Sequence, residues 1–519
     1  MKLLRIIALA LFALVANEAF GTTYYIDFAN GNDANNGTSK ATPWQHAPGM
    51  QGCTGTCAST TPQAGDNIIL KGGVTWPNSV FCWVPPSPGN SSNQIYIGVD
   101  QTWYDSGVCG SSFCRPILDA GGVLISGGDI YNRNKNLMLN LGNANYLTLD
   151  NLEFKGFYWD NTYTGDGKNI MIVMGGAGQH IRNCYFHGWS HAPGSNIYDA
   201  TGIRGDTHDP TGEVGADVAY CIFDGSEGDQ KSLGVVFGGP PNLMYNIVRY
   251  VSNAFVGQFS SVHDNLIEYV NNGFSSGSHM NAIESNTDQE STGGLGLLVY
   301  NNLIRHTDTG VVNIWVAPHS GRISWVFNNV LVDTYANIMD VAYCLPQGSC
   351  PSGGVVVVNN TTECGPDSNP GDSCTGAGSP VLTDTTRNNH FITSNANPVN
   401  QAPSTVYTVS NNVAQSKTTA NAQGYTSSQT YAFSPTAGTN STVGAGLNLT
   451  SLCTGSLIAL CQDTTYACAY NQVNHTVSCP ARTPVARPSS GAWDAGAYQY
   501  SSSSANKPEP PSGLTASVH

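Results

Sequence analysis

The chain has 519 residues, a net charge of −15 and only 11% charged residues, alongside 58 glycines. So large a deficit of cations leaves no electrostatic footprint for nucleic acid, and a composition rich in turn formers and poor in charge argues against helical bundles. A polyanionic substrate would be repelled unless local cations or a bound metal compensate.

Residues 1–21 join Lys2 and Arg5 to an apolar run from Leu3 to Val15 and the small residues Ala19 and Gly21, the pattern of a secretory signal peptide. No later apolar run is long enough to span a bilayer. Export is therefore expected, and fifteen cysteines suit an oxidising compartment. Cys53 and Cys57, Cys109 and Cys114, Cys344 and Cys350, and Cys364 and Cys374 lie close together, Cys82 stands apart, and Cys453, Cys461, Cys468 and Cys479 cluster near the end. Loop-closing disulfides are the expectation, with at least one thiol left over.

From Thr22 to Trp76 the chain reads Tyr24-Tyr-Ile-Asp27, then the turn-dense Ala29 to Gly37, Pro43-Trp44, and Ala64-Gly-Asp-Asn-Ile-Ile-Leu-Lys-Gly-Gly73. This opening resembles the N-terminal cap of secreted right-handed parallel β-helix proteins of the pectate-lyase-like superfamily. Gly491 to Tyr498, Gly-Ala-Trp-Asp-Ala-Gly-Ala-Tyr, resembles the closing segment of the same group. The resemblance implies an all-β solenoid, a right-handed parallel β-helix with disulfide-tied loops. It implies little about the reaction.

The expected organisation is a cap and first coils over 22–145, regular coils over 146–395, irregular coils and a cap over 396–500, and a linker-like tail over 501–519. Among the regular coils a short phrase recurs at Asn151–Lys155, Asn183–His187, Tyr220–Asp224, Tyr245–Arg249, Asp264–Glu268, Asn301–Arg305 and Asn328–Val332. Each copy is too short for a helix, rich in β-branched and aromatic residues and led by a turn former, so each predicts one strand per stacked repeat. Asn246, Asn265, Asn302 and Asn329 share one repeat position and predict an internal amide ladder. Cys184 and Cys221 share that position too, as a bridge or as a stack of thiols. The column Lys155, His187, Asp224, Arg249, Glu268 and Arg305 alternates in sign and predicts structural pairing between stacked strands.

A second strand follows each phrase, with Ile203, Val235, Phe255, Ile283, Val311 and Ile338 aligned as its core face. The outward face then carries Arg204, Asp206, Gln258, Glu284 and Asn286. Two insertions flank this face: one holds His191, Asp199, His208 and Asp209, the other His279, Asp288 and Glu290. Insertions in a solenoid gather on one side and build its binding surface, so a groove is expected there.

Carboxylates, an Arg and histidines in one groove suit two chemistries on polysaccharide. In hydrolysis, Asp206 and Glu284 would serve as the acid and the base or nucleophile. In β-elimination from a uronate, Arg204 would neutralise the carboxylate, His208 or His279 would take the C5 proton, and Ca²⁺ held by acidic side chains is the cofactor that chemistry admits. Gln258 and Asn286 would bind substrate in either case. The reading from another class is a non-catalytic, glycan-binding or adhesive surface protein. Asn286-Thr-Asp288 matches one polygalacturonase element without its companions, and the RxPxxR pattern of pectate lyases is absent. Trp159, Trp189 and Trp315 are either sugar platforms or loop core. The expected partner is polysaccharide, with no nucleic acid and no membrane span, and the expected assembly is a monomer.

Overall fold

The computed structural model describes residues 21–502 except 87–88, 126–135, 143, 164–166, 196–199, 206–214, 228–233, 239–241, 258, 271–280, 286–294, 308–310, 315–322, 335–338, 342–353, 365–373, 378–382, 402–405 and 466–467. The amino-terminal segment expected to be a signal peptide lies outside them.

Three long sheets run the length of the molecule. Among the described residues, sheet A has thirteen strands, sheet B twelve and sheet C ten, and along each sheet the strands follow chain order. Among the described residues the strand pairings between coils are parallel, and antiparallel pairing is confined to the hairpin of Ala469–Asn471 with Thr476–Ser478 and two isolated bridges, Gly446 with Trp493 and Gln462 with Ala486. Sequential strands of one coil thus belong to three different sheets, which is a parallel β-helix and the fold the resemblance implies.

The coil is set by its A-to-B corner. At each such corner one residue takes φ between 55° and 61°: Asn183, Tyr220, Tyr245, Asp264, Asn301, Asn328, Asn359, Asn388 and Asn411. Asn and Asp tolerate this left-handed conformation better than other side chains, which is why the repeated phrase opens on them. The next residue points inward and forms the ladder. Asn246 donates through Nδ2 to Asn265 Oδ1 at 3.1 Å, and the same bond repeats through Asn302, Asn329, Asn360, Asn389 and Asn412 at 2.9–3.0 Å. The expected ladder is present and longer than the four positions read from the repeat. Above it, Cys221 donates its backbone N–H to Asn246 Oδ1, so Cys184 and Cys221 continue the column.

Both of those thiols are unbridged and fully buried, which decides between bridge and stack. Disulfides close the pairs Cys53–Cys57, Cys109–Cys114, Cys364–Cys374, Cys453–Cys461 and Cys468–Cys479; Cys344 and Cys350 lie outside the described residues. Cys184 and Cys221 are expected to resist a thiol reagent in the native protein and to react after denaturation without reductant. Mass spectrometry of the labelled peptides checks this.

Inside the coil, side chains stack by register. Phe154, Phe186 and Phe223 align on sheet B with ring centroids 4.8 and 4.5 Å apart, and Val248, Ile267, Ile304 and Leu331 continue the same core. On sheet C, Ile203, Val236, Phe255, Ile283 and Val312 share one register position. Two positions differ from the expected alignment, Val236 for Val235 and Val312 for Val311. A Val-Val pair presents an apolar residue in either register, so hydrophobic alternation cannot choose between them. Ile338 lies outside the described residues.

After Gln415 the chain turns back. Helix Lys417–Ala422 starts an arm whose Tyr425, Phe433, Cys468 and Tyr498 cover the outward Tyr185, Ile222, Ile247, Leu266, Leu303 and Val330 of sheet B. Leu449, Leu457, Leu460 and Trp493 cover Leu298, Trp325 and Phe327 of sheet A. Arg487 pins the arm: its buried guanidinium donates to Asn328 Oδ1 and to the carbonyls of Gln462, Asp494 and Gly496. Burial lowers its pKa to about 10. The closing segment around Trp493 is therefore a clasp on the corner asparagines.

Candidate functional site

The arm lies over the outward faces of sheets A and B. The connections that enter and leave the strands of sheet C differ in length from coil to coil. Strand Ala200–Gly205 is entered by 192–199 and left by 206–216, and strand Ile283–Ser285 is entered by 271–282 and left by 286–294. Between them, strand Asn253–Gly257 is entered through Ser252 alone and left by 258–260. By residue count the coils of Arg204 and Glu284 carry longer connections than the coil of Asn253–Gly257.

Arg204 and Glu284 share one register position of sheet C. The register runs Val173, Arg204, Phe237, Val256, Glu284, Asn313, Asp340 across seven consecutive strands. Three rungs of about 4.8 Å separate Arg204 from Glu284, roughly 14 Å along the axis. Arg204 reaches the preceding coil, where a Cβ on Gly167, held at φ 72°, would lie 2.6 Å from its Cζ. Glu284 is 6% exposed, and Asn281 donates through Nδ2 to its Oε2 at 2.5 Å. Asn281 is itself fixed by a bond from its N–H to Asn253 Oδ1 at 2.9 Å. A buried carboxylate with an oriented amide beside it is a positioned group, suited to holding or moving a proton.

The other expected site residues, Asp206, His208, His279, Gln258 and Asn286, lie outside the described residues, as do Asp199, Asp209, Asp288 and Glu290. Trp159 and Trp189 are fully buried and serve as core, not as sugar platforms; Trp315 lies outside the described residues. The corrected register adds two positions that sequence alignment missed. Asn313 is one rung from Glu284 and Asp340 two rungs, about 10 Å by the strand spacing. The signal that could have found them was the Val311-Val312 pair, whose ambiguity hid a one-residue slip.

The sign-alternating column on sheet B forms two groups of ion pairs. His187 lies between Glu153 Oε1 at 2.9 Å and Glu227 Oε2 at 2.6 Å. Burial alone would lower its pKa, but the two carboxylates outweigh burial and raise it. Arg249 has Glu268 at 3.3 Å and Asp224 at 3.9 Å, and Arg305 meets Glu268 at 2.6 Å. On sheet A, Arg182 and His180 both donate to Asp217, with closest approaches of 2.7 Å. Burial would raise the Asp217 carboxyl, yet those donors hold it below its ordinary range. These clusters pair charge with charge between stacked strands, which suits register rather than turnover, although Arg249 Nε is left without a hydrogen bond.

Among the described residues, no three or more His, Cys, Asp or Glu side chains are grouped to hold a metal ion, and no helix is long and apolar enough to cross a membrane.

No family model and no curated protein matches the chain. Among solved structures it is similar to the GH136 lacto-N-biosidase from Eubacterium ramulus, at 14% identity and a TM-score of 0.43, covering 76% of this chain and 68% of that one. It is similar to pectate lyase Pel9A at 15% identity and a TM-score of 0.36, covering 92% and 96%. A third is the PL6 family polysaccharide lyase Pedsa3628 from Pseudopedobacter saltans, at 15% identity and a TM-score of 0.34, covering 69% and 90%. At this distance the likeness is one of winding and assigns no activity.

Proposed function

We propose that the chain is an exported, monomeric, carbohydrate-active β-helix protein that cleaves a polysaccharide on the outward face of sheet C. The observation that carries this reading is the register column holding Arg204, Glu284, Asn313 and Asp340 on sheet C. Five disulfides among the described residues suit the exported address.

Hydrolysis is the favoured chemistry. Glu284 is the general acid, oriented by Asn281. Asp340, two rungs from Glu284 in the backbone register, is the base that activates water. Asp206 is the alternative second carboxylate, and Gln258, Asn286 and Asn313 hold sugar hydroxyls. Arg204, three rungs away, binds an acidic or amide substituent at a neighbouring subsite. In the elimination chemistry Arg204 would neutralise a uronate, with His208 or His279 as base.

A panel of neutral and uronic polysaccharides, followed by reducing ends and by the absorbance of unsaturated uronate, tests the reading. Reducing ends without that absorbance are expected. Both signals together would replace hydrolysis by elimination, and retained glycan binding without either product would leave a binding protein.

A further inference from the structure

The arm ends its return journey in the hairpin of residues 468–479, closed by the Cys468–Cys479 disulfide. It lands on the opposite end of the coil stack from where the arm begins. Tyr470, Val477 and Cys479 pack against the cluster that contains Tyr185, Ile222 and Ile247. Its polar contacts are few and specific: Arg115 Nη1 donates to the His475 carbonyl at 3.1 Å, and Tyr470 Oη donates to Asp224 Oδ2 at 3.1 Å.

His475 sits at the centre of this contact. Its ring stacks on Tyr185 at 4.2 Å, and the Tyr185 ring is stacked in turn with His187 at 4.1 Å. His475 Nδ1 lies 2.9 Å from Tyr470 Oη. Since that hydroxyl gives its proton to Asp224, its oxygen accepts from Nδ1–H of the imidazole, a bond that needs no charge on the ring. The imidazole is thus satisfied without a charge and faces a second histidine that the solenoid keeps cationic.

We propose that hairpin 468–479 is an acid-released strap, docked while His475 is neutral and detached from the Tyr185, Ile222 and Ile247 face when His475 takes a proton. The charged groups around it set the balance. Against protonation stand burial and the His187 cation, with Arg115 on the His475 carbonyl and Arg249 5.6 Å from the Tyr470 ring. For protonation stand Glu153, Asp224 and Glu227, but Glu153 and Glu227 already bracket His187 and Asp224 already accepts from Tyr470. Lys155 is in register beside His187. Burial first and then His187 lower the His475 pKa from 6.5, with the three carboxylates opposing.

A histidine whose pKa is depressed in the docked state binds protons better when released, so docking is at full strength above about 6.5 and weakens as pH falls through the lowered value. An imidazole changes charge in this pH range, so His475 is the group through which acid acts on the docked hairpin. Release would bare the Tyr185 ring and the apolar rungs beside it, leaving the coils themselves wound.

Amide exchange of 469–471 and 476–478 in the intact, disulfide-bonded protein tests the strap. After correction for intrinsic rates, hairpin exchange is expected to quicken about tenfold for each unit by which the His475 pKa is depressed between pH 7.5 and pH 5. Strands Ile247–Val251 and Leu266–Val270 should not change. His475→Phe keeps the ring stack and cannot take a proton, so its hairpin should stay protected at both pH values. Equal corrected exchange in the wild type at the two pH values overturns the proposal without recourse to a variant. An acid response of the same size in His475→Phe overturns it as well.

Discussion

Asn302→Leu is expected to be among the most destabilising single changes in the coils. Asn302 is fully buried, and its Oδ1 accepts from both the backbone N–H and the Nδ2 of Asn265 at 3.0 Å. Its own Nδ2 donates to Asn329 Oδ1 and to the carbonyls of Val262 and Tyr300 at 2.9–3.1 Å. Leucine fills nearly the same volume and replaces none of these bonds. The Asn265 N–H loses its acceptor and the Val262 carbonyl loses this donor, each at about 1–3 kcal/mol where it cannot reach water. Asn265 Nδ2 keeps the Leu243 and His263 carbonyls, and the Tyr300 carbonyl keeps the Asp264 N–H. Partial relaxation brings the expected loss to about 4 kcal/mol. Denaturant unfolding followed by circular dichroism measures it, and amide exchange should quicken first in the coils that contain Val262 and Phe327. Asn412→Leu removes the last rung and should cost less, because only Asn389 donates to it.

The largest expected effect on activity belongs to Glu284→Gln. Glutamine is isosteric and can still meet Asn281 after an amide flip, so the fold and glycan affinity should be kept. It cannot give or take the proton, and kcat should fall by about 10²–10⁴-fold with KM within a factor of about three. If kcat is unchanged, Glu284 is not the acid. If KM alone rises, it binds sugar and the proton is handled elsewhere. Melting temperature and circular dichroism establish that the variant is folded before either result is interpreted.

Legibility of the fold was uneven for physical reasons. The corner is the most readable feature, because a left-handed residue followed by a buried amide leaves an Asn-Asn or Asp-Asn signature in coil after coil, and Asn246 to Asn329 could be placed on one line from it. Strand register on sheet B was equally readable, since Phe186 and Phe223 are flanked by polar neighbours on a fixed side. On sheet C, pairs such as Val235-Val236 and Val311-Val312 are apolar at both positions and lose the alternation that fixes register. That slip concealed the alignment of Glu284 with Asn313 and Asp340.

The arm was not legible at all. Its contacts join residues far apart in the chain, such as Arg115 to His475 and Asn328 to Arg487, and no local periodicity encodes which face a Ser- and Thr-rich segment will cover. Without it, Tyr185, Ile222 and Ile247 read as an ordinary outward column. Trp159 and Trp189 stayed open in the sequence for another reason: an aromatic beside an insertion looks the same whether it is core or platform, and burial decides for core. The site inherits both gains and losses, since Arg204 and Glu284 could be argued onto one face from the repeat, whereas Asp340 needed the register itself.

If the outward face of sheet C does the work while those of sheets A and B are structural, the three faces should respond differently to mutation. The most direct measurement is product release from the best substrate of the polysaccharide panel by three folded variants, Glu284→Gln on sheet C, Arg182→Gln on sheet A and Arg305→Gln on sheet B. Only Glu284→Gln is predicted to lose turnover, with the other two within about threefold of wild type, as expected of partly exposed ion-pair partners. Full turnover by Glu284→Gln together with loss in Arg182→Gln or Arg305→Gln would place the chemistry on another face and contradict the assignment to sheet C.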